Sequence, residues 1–268
     1  SLILLSFMGL NLFACQNKIE DENTIYAIST LAPHAAILEE ARPLLLEKGY
    51  KLKIKVIDEY GFPNPAVASK SADVNFFQHI PFLDDYNKNA KEEDQLYNLG
   101  GIHIEPIGLY SPAKYGYKSI DDIKDGDRVI MSKSVPDHGR LFMLLESLGL
   151  IKLREGATIN ATVSDIIENK KNLRFDIQVE ANFLVESYNN DEAPLILING
   201  NYALSANLDP NNDAIALESP IDNPYINIVA CRKDRKDLDK IKALMEVLTS
   251  SHIKDFIENK YQGSVVPV

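Results

Sequence analysis

Apolar and polar positions alternate with two periods along the chain, and the switches between them predict the elements. Thr24 to Ser29 reads as a strand. A turn at Thr30 to His34 leads into a helix from about His34 to Lys48, with Ala36, Ile37, Leu38, Ala41, Leu44 and Leu45 at helical spacing and Gly49 closing it. Lys51 to Asp58 alternates, with Leu52, Ile54 and Val56 on one face. A strand–helix–strand unit of this length predicts a parallel pair with a right-handed crossover. After a loop rich in Gly and Pro, the pattern predicts a short helix from Asn64 to Ser71 and a short strand from Ala72 to Asn75. Helical sequence runs past Pro81 to about Lys88, and Leu96–Leu99 and Ile102–Tyr110 read as strand segments.

The second half repeats the theme. Arg128 to Met131, Leu173 to Val179, Leu195 to Ile198 and Tyr225 to Cys231 are predicted strands. Arg140 to Leu148 is an amphipathic helix closed by Gly149, and Lys236–Thr249 and His252–Tyr261 are closing helices. Turn-rich stretches at Ser111–Lys118 and Ser219–Pro224 are candidate hinges. The chain therefore reads as α/β.

One stretch does not fit a plain strand. Residues 72–86 crowd Phe76, Phe77, Phe82 and Tyr86 together with Asn75, Gln78 and His79. A buried strand would carry Val and Ile, and a surface loop would not carry three Phe. Aromatic walls with a few placed polar groups suit a ligand pocket, although a strand end with core aromatics and a satisfied His fits the same residues. Arg140, read as opening a helix, sits where the helix dipole disfavours a cation. It needs either a ligand carboxylate or an acidic partner within the protein. His103 and Glu105 could ligate a metal, but two groups with no third nearby read better as neighbours on one strand face. Asn199 follows a fully apolar strand, and Asn227 sits within one.

Composition narrows the classes. The 268 residues are 45% hydrophobic and 25% charged, enough for two domains. A formal net charge of −11 argues against nucleic acid or an anionic membrane surface as the main partner. Trp is absent, so an aromatic pocket must use Phe and Tyr. Residues 1–14 carry no charge and end at Leu12-Phe-Ala-Cys15, which reads as a signal peptide with a lipobox whose Cys15 is lipidated. Residues 16–23 form the tether. Phe13 stands where a small residue is usual. Cys231, among apolar neighbours, reads as a buried thiol.

Five strings in order carry a resemblance: Asn75-Phe-Phe-Gln-His-Ile-Pro81, His103-Ile-Glu-Pro-Ile-Gly-Leu-Tyr110, Gly149-Leu-Ile-Lys-Leu153, Ile198-Asn-Gly-Asn-Tyr-Ala203 and Pro224-Tyr-Ile-Asn227. Over nearly the whole chain after Cys15 the sequence resembles the NlpA/MetQ family, the methionine-binding lipoproteins of ABC importers. The resemblance implies a two-lobed fold like type II periplasmic binding proteins, with the ligand cleft between the lobes. Taken with the two strand–helix series and the turn-rich stretches between them, it sets the expected bounds at lobe I from 23 to 109 plus 225 to 268 and lobe II from 110 to 224. It implies an L-methionine, related amino-acid or short-peptide ligand, an ABC permease as partner, a lipid anchor in the cell envelope, and no cofactor. By the same resemblance Tyr60, Phe77 and Phe82 surround the side chain, with His79 as the polar member. Arg140 meets the α-carboxylate, and Asn199 and Asn227 hold the polar end. Asp137 stands where the family has Asn, and Phe82 where it has Tyr. An Asp beside Arg140 would neutralise it or repel a carboxylate. A surface lipoprotein of this fold with no transport role would carry the same features. An enzyme on this fold and a zinc-binding lipoprotein are less well served. The chain has no G-x-S-x-G, P-loop, H-E-x-x-H or C-x-x-C motif, and its five His are scattered.

Overall fold

The structure is a computed structural model that describes residues 21–268. The apolar run, Cys15 and most of the tether lie outside the described residues. In chain order the first part comprises β1 (Thr24–Ser29), α1 (Ala36–Glu47), β2 (Lys51–Val56), α2 (Pro63–Ala68), β3 (Val74–His79), α3 (Ile80–Asn89) and β4 (Leu96–Ile104). The middle part comprises β5 (Gly108–Tyr110), β6 (Arg128–Ser132), α4 (Val135–Ser147), β7 (Ile151–Leu153), β8 (Ile166–Asn169), β9 (Arg174–Val179), α5 (Leu184–Asn189), β10 (Leu195–Ile198), α6 (Gly200–Ser205), α7 (Pro210–Asp213) and β11 (Ala216–Leu217). The chain closes with β12 (Ile226–Arg232), α8 (Asp239–Leu248), α9 (Ser251–Tyr261) and β13 (Val266–Pro267).

These strands form two main sheets, each the centre of one lobe. The first has the order β13-β4-β12-β3-β1-β2, and the second β11-β5-β10-β6-β9. The expected parallel pair is present, β1 against β2 from Thr24↔Lys51 to Ser29↔Val56. Ile25, Ala27, Val74 and Phe76 on one sheet face pack against Ile37, Leu38, Ala41 and Leu45 of α1 and against the apolar faces of α8 and α9. In the second lobe Val129, Met131, Leu195 and Leu197 pack against Leu141, Phe142, Leu144 and Leu145 of α4. Burial of such side chains contributes about 1.5–3 kcal/mol each, and it fixes where each helix sits over its sheet.

Three expectations give way to the structure. The run Ile102–Tyr110 is not one strand: β4 ends at Ile104 in the first sheet, and β5 pairs with β10 and β11 in the second. The chain thus changes sheet at residues 105–107, upstream of Ser111–Lys118, where composition put a hinge. It returns between Leu217 and Ile226, across Ser219–Pro224. Second, β3 continues through Phe77, Gln78 and His79 rather than stopping at Asn75, and all six of its residues are buried. It is central in its sheet, antiparallel to β12 and parallel to β1. Amides survive there because they bond to one another. Asn64 Nδ2 donates to Gln78 Oε1 (2.9 Å), Asn75 Nδ2 to Asn64 Oδ1 (2.9 Å), and Gln78 Nε2 to Asn64 Oδ1 (2.7 Å) and Asn75 Oδ1 (2.8 Å). Third, α4 begins at Val135, with Pro136 in its first turn. Arg140 is therefore mid-helix, and the dipole argument for it falls away.

Candidate functional site

The eight residues singled out by sequence come from six places and line one narrow cavity of about 20 Å³. Tyr60 lies on the loop after β2. Phe77 and His79 lie on β3, Phe82 in the first turn of α3, Asp137 and Arg140 on α4, Asn199 ahead of α6, and Asn227 on β12. Gln78, Glu105, Gly200 and Asn201 complete the lining. The cavity thus draws on both sheets and on the crossover between them.

One end is aromatic. Tyr60 and Phe77 have ring centroids 6.1 Å apart, Tyr60 and Phe82 5.9 Å, and Phe77 and Phe82 5.5 Å, the last two pairs edge-to-face. The rings form three sides of an apolar slot. The Tyr60 hydroxyl donates to Asn201 Oδ1 at 2.6 Å, and the Tyr202 hydroxyl to the Asp58 carbonyl at 2.8 Å. Both bonds cross between the lobes. Burial pushes the Tyr60 phenol well above its ordinary range, so it is a donor here.

The other end is ionic. His79 caps α3: its Nδ1 accepts from the Phe82 amide at 3.1 Å. That leaves the ring proton on Nε2, which donates to Asp137 Oδ1 at 2.9 Å. Asn199 Nδ2 donates to Asp137 Oδ2 at 3.1 Å. Burial alone would raise the Asp137 pKa. The hydrogen bond from His79, the Arg140 charge and the Asn199 amide outweigh it and hold the carboxyl below its usual range.

Arg140 does not pair with Asp137 by hydrogen bond. Its partner is Glu218, just after β11, which the sequence reading did not single out. Nε lies 2.9 Å from both Glu218 oxygens, and Nη2 bonds Glu218 Oε2 and the Glu105 carbonyl. The guanidinium also stacks on the Tyr225 ring, 4.7 Å from its centroid. Glu218 Oε2 further accepts from the Ile107 amide at 3.2 Å. One carboxylate therefore ties α4 to both crossovers. The only sequence signal for Glu218 was an acid beside a predicted hinge, 78 residues from its partner.

Behind the cavity the expectation that His103 and Glu105 lack a third partner is overturned. His34, from the turn ahead of α1, lies with Nε2 3.1 Å from Glu105 Oε1, and His103 Nε2 lies 2.6 Å from the same oxygen. Among the described residues these three could together hold a metal ion. Both His34 nitrogens are engaged within the protein, Nδ1 with Thr30 Oγ1 (2.8 Å) and Nε2 also with Asn227 Oδ1 (3.0 Å), whereas His103 Nδ1 is buried without a hydrogen-bond partner. Burial lowers His34 to about 4 and His103 to about 3, and raises Glu105. Gly200 makes a close approach here: a Cβ would sit 3.1 Å from Glu105 Cβ and 3.2 Å from the Pro106 carbonyl oxygen, so these neighbours would have to shift by a few tenths of an ångström.

Two lobes joined by two crossovers, with an apolar-to-ionic cavity between them, define a solute-binding protein. Residues 27–268 match the family model described as NlpA lipoprotein, and the chain belongs to that family. It is similar to the methionine-binding lipoprotein MetQ of Bacillus subtilis, 46% identical over 99% of this chain and 96% of that protein. Among solved structures, a lipoprotein from Bacillus subtilis superposes with a TM-score of 0.87 at 47% identity, covering 92% of this chain and 98% of that one. A nutrient binding protein from Burkholderia cenocepacia, solved bound to methionine, superposes at 0.81 with 33% identity, covering 91% and 99%.

Proposed function

We propose that this protein is the lipid-anchored solute-binding component of an ABC importer, taking methionine or a related amino acid or short peptide between its lobes. The observation that carries the reading is the convergence of Tyr60, Phe77 and Phe82 at one end of a single cavity with His79, Asp137, Arg140, Asn199 and Asn227 at the other. A thioether over aromatic rings gains about 0.3–1.5 kcal/mol per contact, and the amide and ionic groups orient an amino acid's polar end. The relatives named for methionine support the same ligand class.

Binding closes the lobes by rotation about the crossovers at 105–107 and 218–225, which lie side by side through Glu218 and Ile107. A permease in the membrane receives the ligand from the closed form. The role is binding rather than catalysis. His79 is committed at both ring nitrogens, and both Asp137 oxygens accept hydrogen bonds, so neither is poised as a base. Cys15 carries the acyl anchor, and Cys15→Ser moves the protein from the detergent to the aqueous phase.

Native mass spectrometry of the full chain released from detergent tests the ligand class, followed by calorimetry with L-methionine. A retained amino acid or peptide, or a saturable heat, is expected. A chain that retains nothing and gives no heat with any amino acid or short peptide refutes the reading.

A further inference from the structure

The ionic end of the cavity is unbalanced in charge. Arg140 is the cation there, and Glu218 answers it directly, with Nε and Nη2 both on the carboxylate. Nη2 also meets the Glu105 carbonyl, and the guanidinium plane lies on the Tyr225 face. Asp137 is left with two hydrogen-bond donors, His79 and Asn199. Neither brings a formal charge. His79 spends Nδ1 as acceptor of the Phe82 amide and holds a single proton on Nε2. Asn199 is a neutral amide. Burial is severe, with Asp137 1% and Asn199 6% exposed.

A second observation points the same way. Because Asn199 Nδ2 donates to a carboxylate, which only accepts, the orientation of that amide is set. Its Oδ1 is then a buried acceptor with no partner. Buried acceptors are nearly always satisfied, so this one calls for a donor. The cavity wall therefore offers a carboxylate and an unfilled carbonyl oxygen on neighbouring side chains. An ammonium group satisfies both. A carboxylate satisfies neither, and beside Asp137 it meets a like charge at low effective dielectric.

We propose that this site takes a ligand with a free α-ammonium and an uncharged carboxyl, the chemistry of an amino-acid amide or of the first residue of a peptide, in preference to the free zwitterion, and that Asp137 sets the preference. The inference rests on the reading of the cavity as an amino-acid site. The depressed titration of Asp137 is consistent with it, because the carboxylate stays ionised at neutral pH.

Calorimetry on the full chain in detergent, with L-methioninamide and L-methionine as probes, tests this in the wild type and in Asp137→Asn. The wild type binds the amide at least tenfold more tightly. One unit charge about 5 Å from the ligand carboxyl, at an effective dielectric near 20, changes the ratio of the two affinities on the order of a hundredfold, so Asp137→Asn abolishes or reverses the preference. A wild type that prefers L-methionine overturns the inference without any variant. An affinity ratio unchanged in a folded Asp137→Asn protein also overturns it. Failure of both probes to bind the wild type, with no amino acid or peptide retained in native mass spectra, would instead overturn the amino-acid reading, and this inference with it.

Discussion

Replacing Glu218 by Gln removes one charge from the junction of α4 with both crossovers and leaves the shape nearly intact. In the parent the Arg140 side chain is 4% exposed and that of Glu218 12% exposed. Breaking a buried pair by neutralising one partner costs about 3–5 kcal/mol, because the other charge stays buried without its counterion. The low end applies here. A Gln carbonyl oxygen still accepts one bond, Arg140 keeps the Glu105 carbonyl and the Tyr225 ring, and Glu218 is not fully enclosed. The expected loss is about 3 kcal/mol. At an m-value of about 3 kcal/mol per M, that lowers the urea midpoint by roughly 1 M. The double variant Arg140→Met/Glu218→Leu should lose less than the sum of its single changes, since neither charge is then left alone. A Glu218→Gln protein within about 0.5 kcal/mol of the parent, the range of ordinary surface changes, would refute the assignment of this pair as the tie between α4 and the crossovers.

Three further outcomes follow from the geometry. His34 and His103 are depressed to about 4 and about 3 from an unfolded value near 6.5, so below pH 6.5 the unfolded chain binds protons that the native state refuses. Stability is full above that pH and falls by about 1.4 kcal/mol per unit per histidine as pH drops toward 4; urea curves at pH 7, 6 and 5 with no such slope would contradict the neutral assignment. Gly139→Ala places a Cβ 2.1 Å from the Ile159 carbonyl oxygen, so the 158–159 backbone must move away from α4, at a cost of about 1–3 kcal/mol in the same assay. Tyr60→Phe removes the 2.6 Å bond to Asn201 Oδ1 and leaves that acceptor in a buried site, which lowers stability by about 1 kcal/mol and weakens ligand binding several-fold by calorimetry, whereas an unchanged affinity would place Tyr60 outside the contacts that hold the lobes closed.

Local periodicity was enough for β1, whose predicted and observed limits agree, and for the crossover to β2. The eight chosen residues, which line one cavity, came mainly from the family resemblance; local pattern alone singled out the aromatic and amide cluster around Phe77, His79 and Phe82, unusual company for a strand end. What escaped were relations made by long separations. Glu218 is unremarkable among 39 acidic residues until the fold sets it against Arg140. His34 joins His103 and Glu105 across about 70 residues, and the 3.6-residue pattern that marked it as a helix start says nothing of where its ring points. The end of β3 was misjudged because Asn75 and Gln78 look like loop residues unless Asn64 is known to complete their bonds. The change of sheet at 105–107 was hidden by an apolar run that serves two strands in different lobes.

The first sheet is assembled from both ends of the chain. β3 and β4 flank β12, about 130–150 residues later, and β13 adds the outermost strand from residues 266–267. The second sheet lies wholly within residues 108–217. As the polypeptide emerges amino end first, the lobe that begins it is the one that must wait, with β3 and β4 unpartnered on their β12 sides until nearly all the residues are available. For a family of lipoproteins, whose polypeptides have to reach the cell envelope, the sheet of the first lobe thus stays incomplete until the end of its own synthesis.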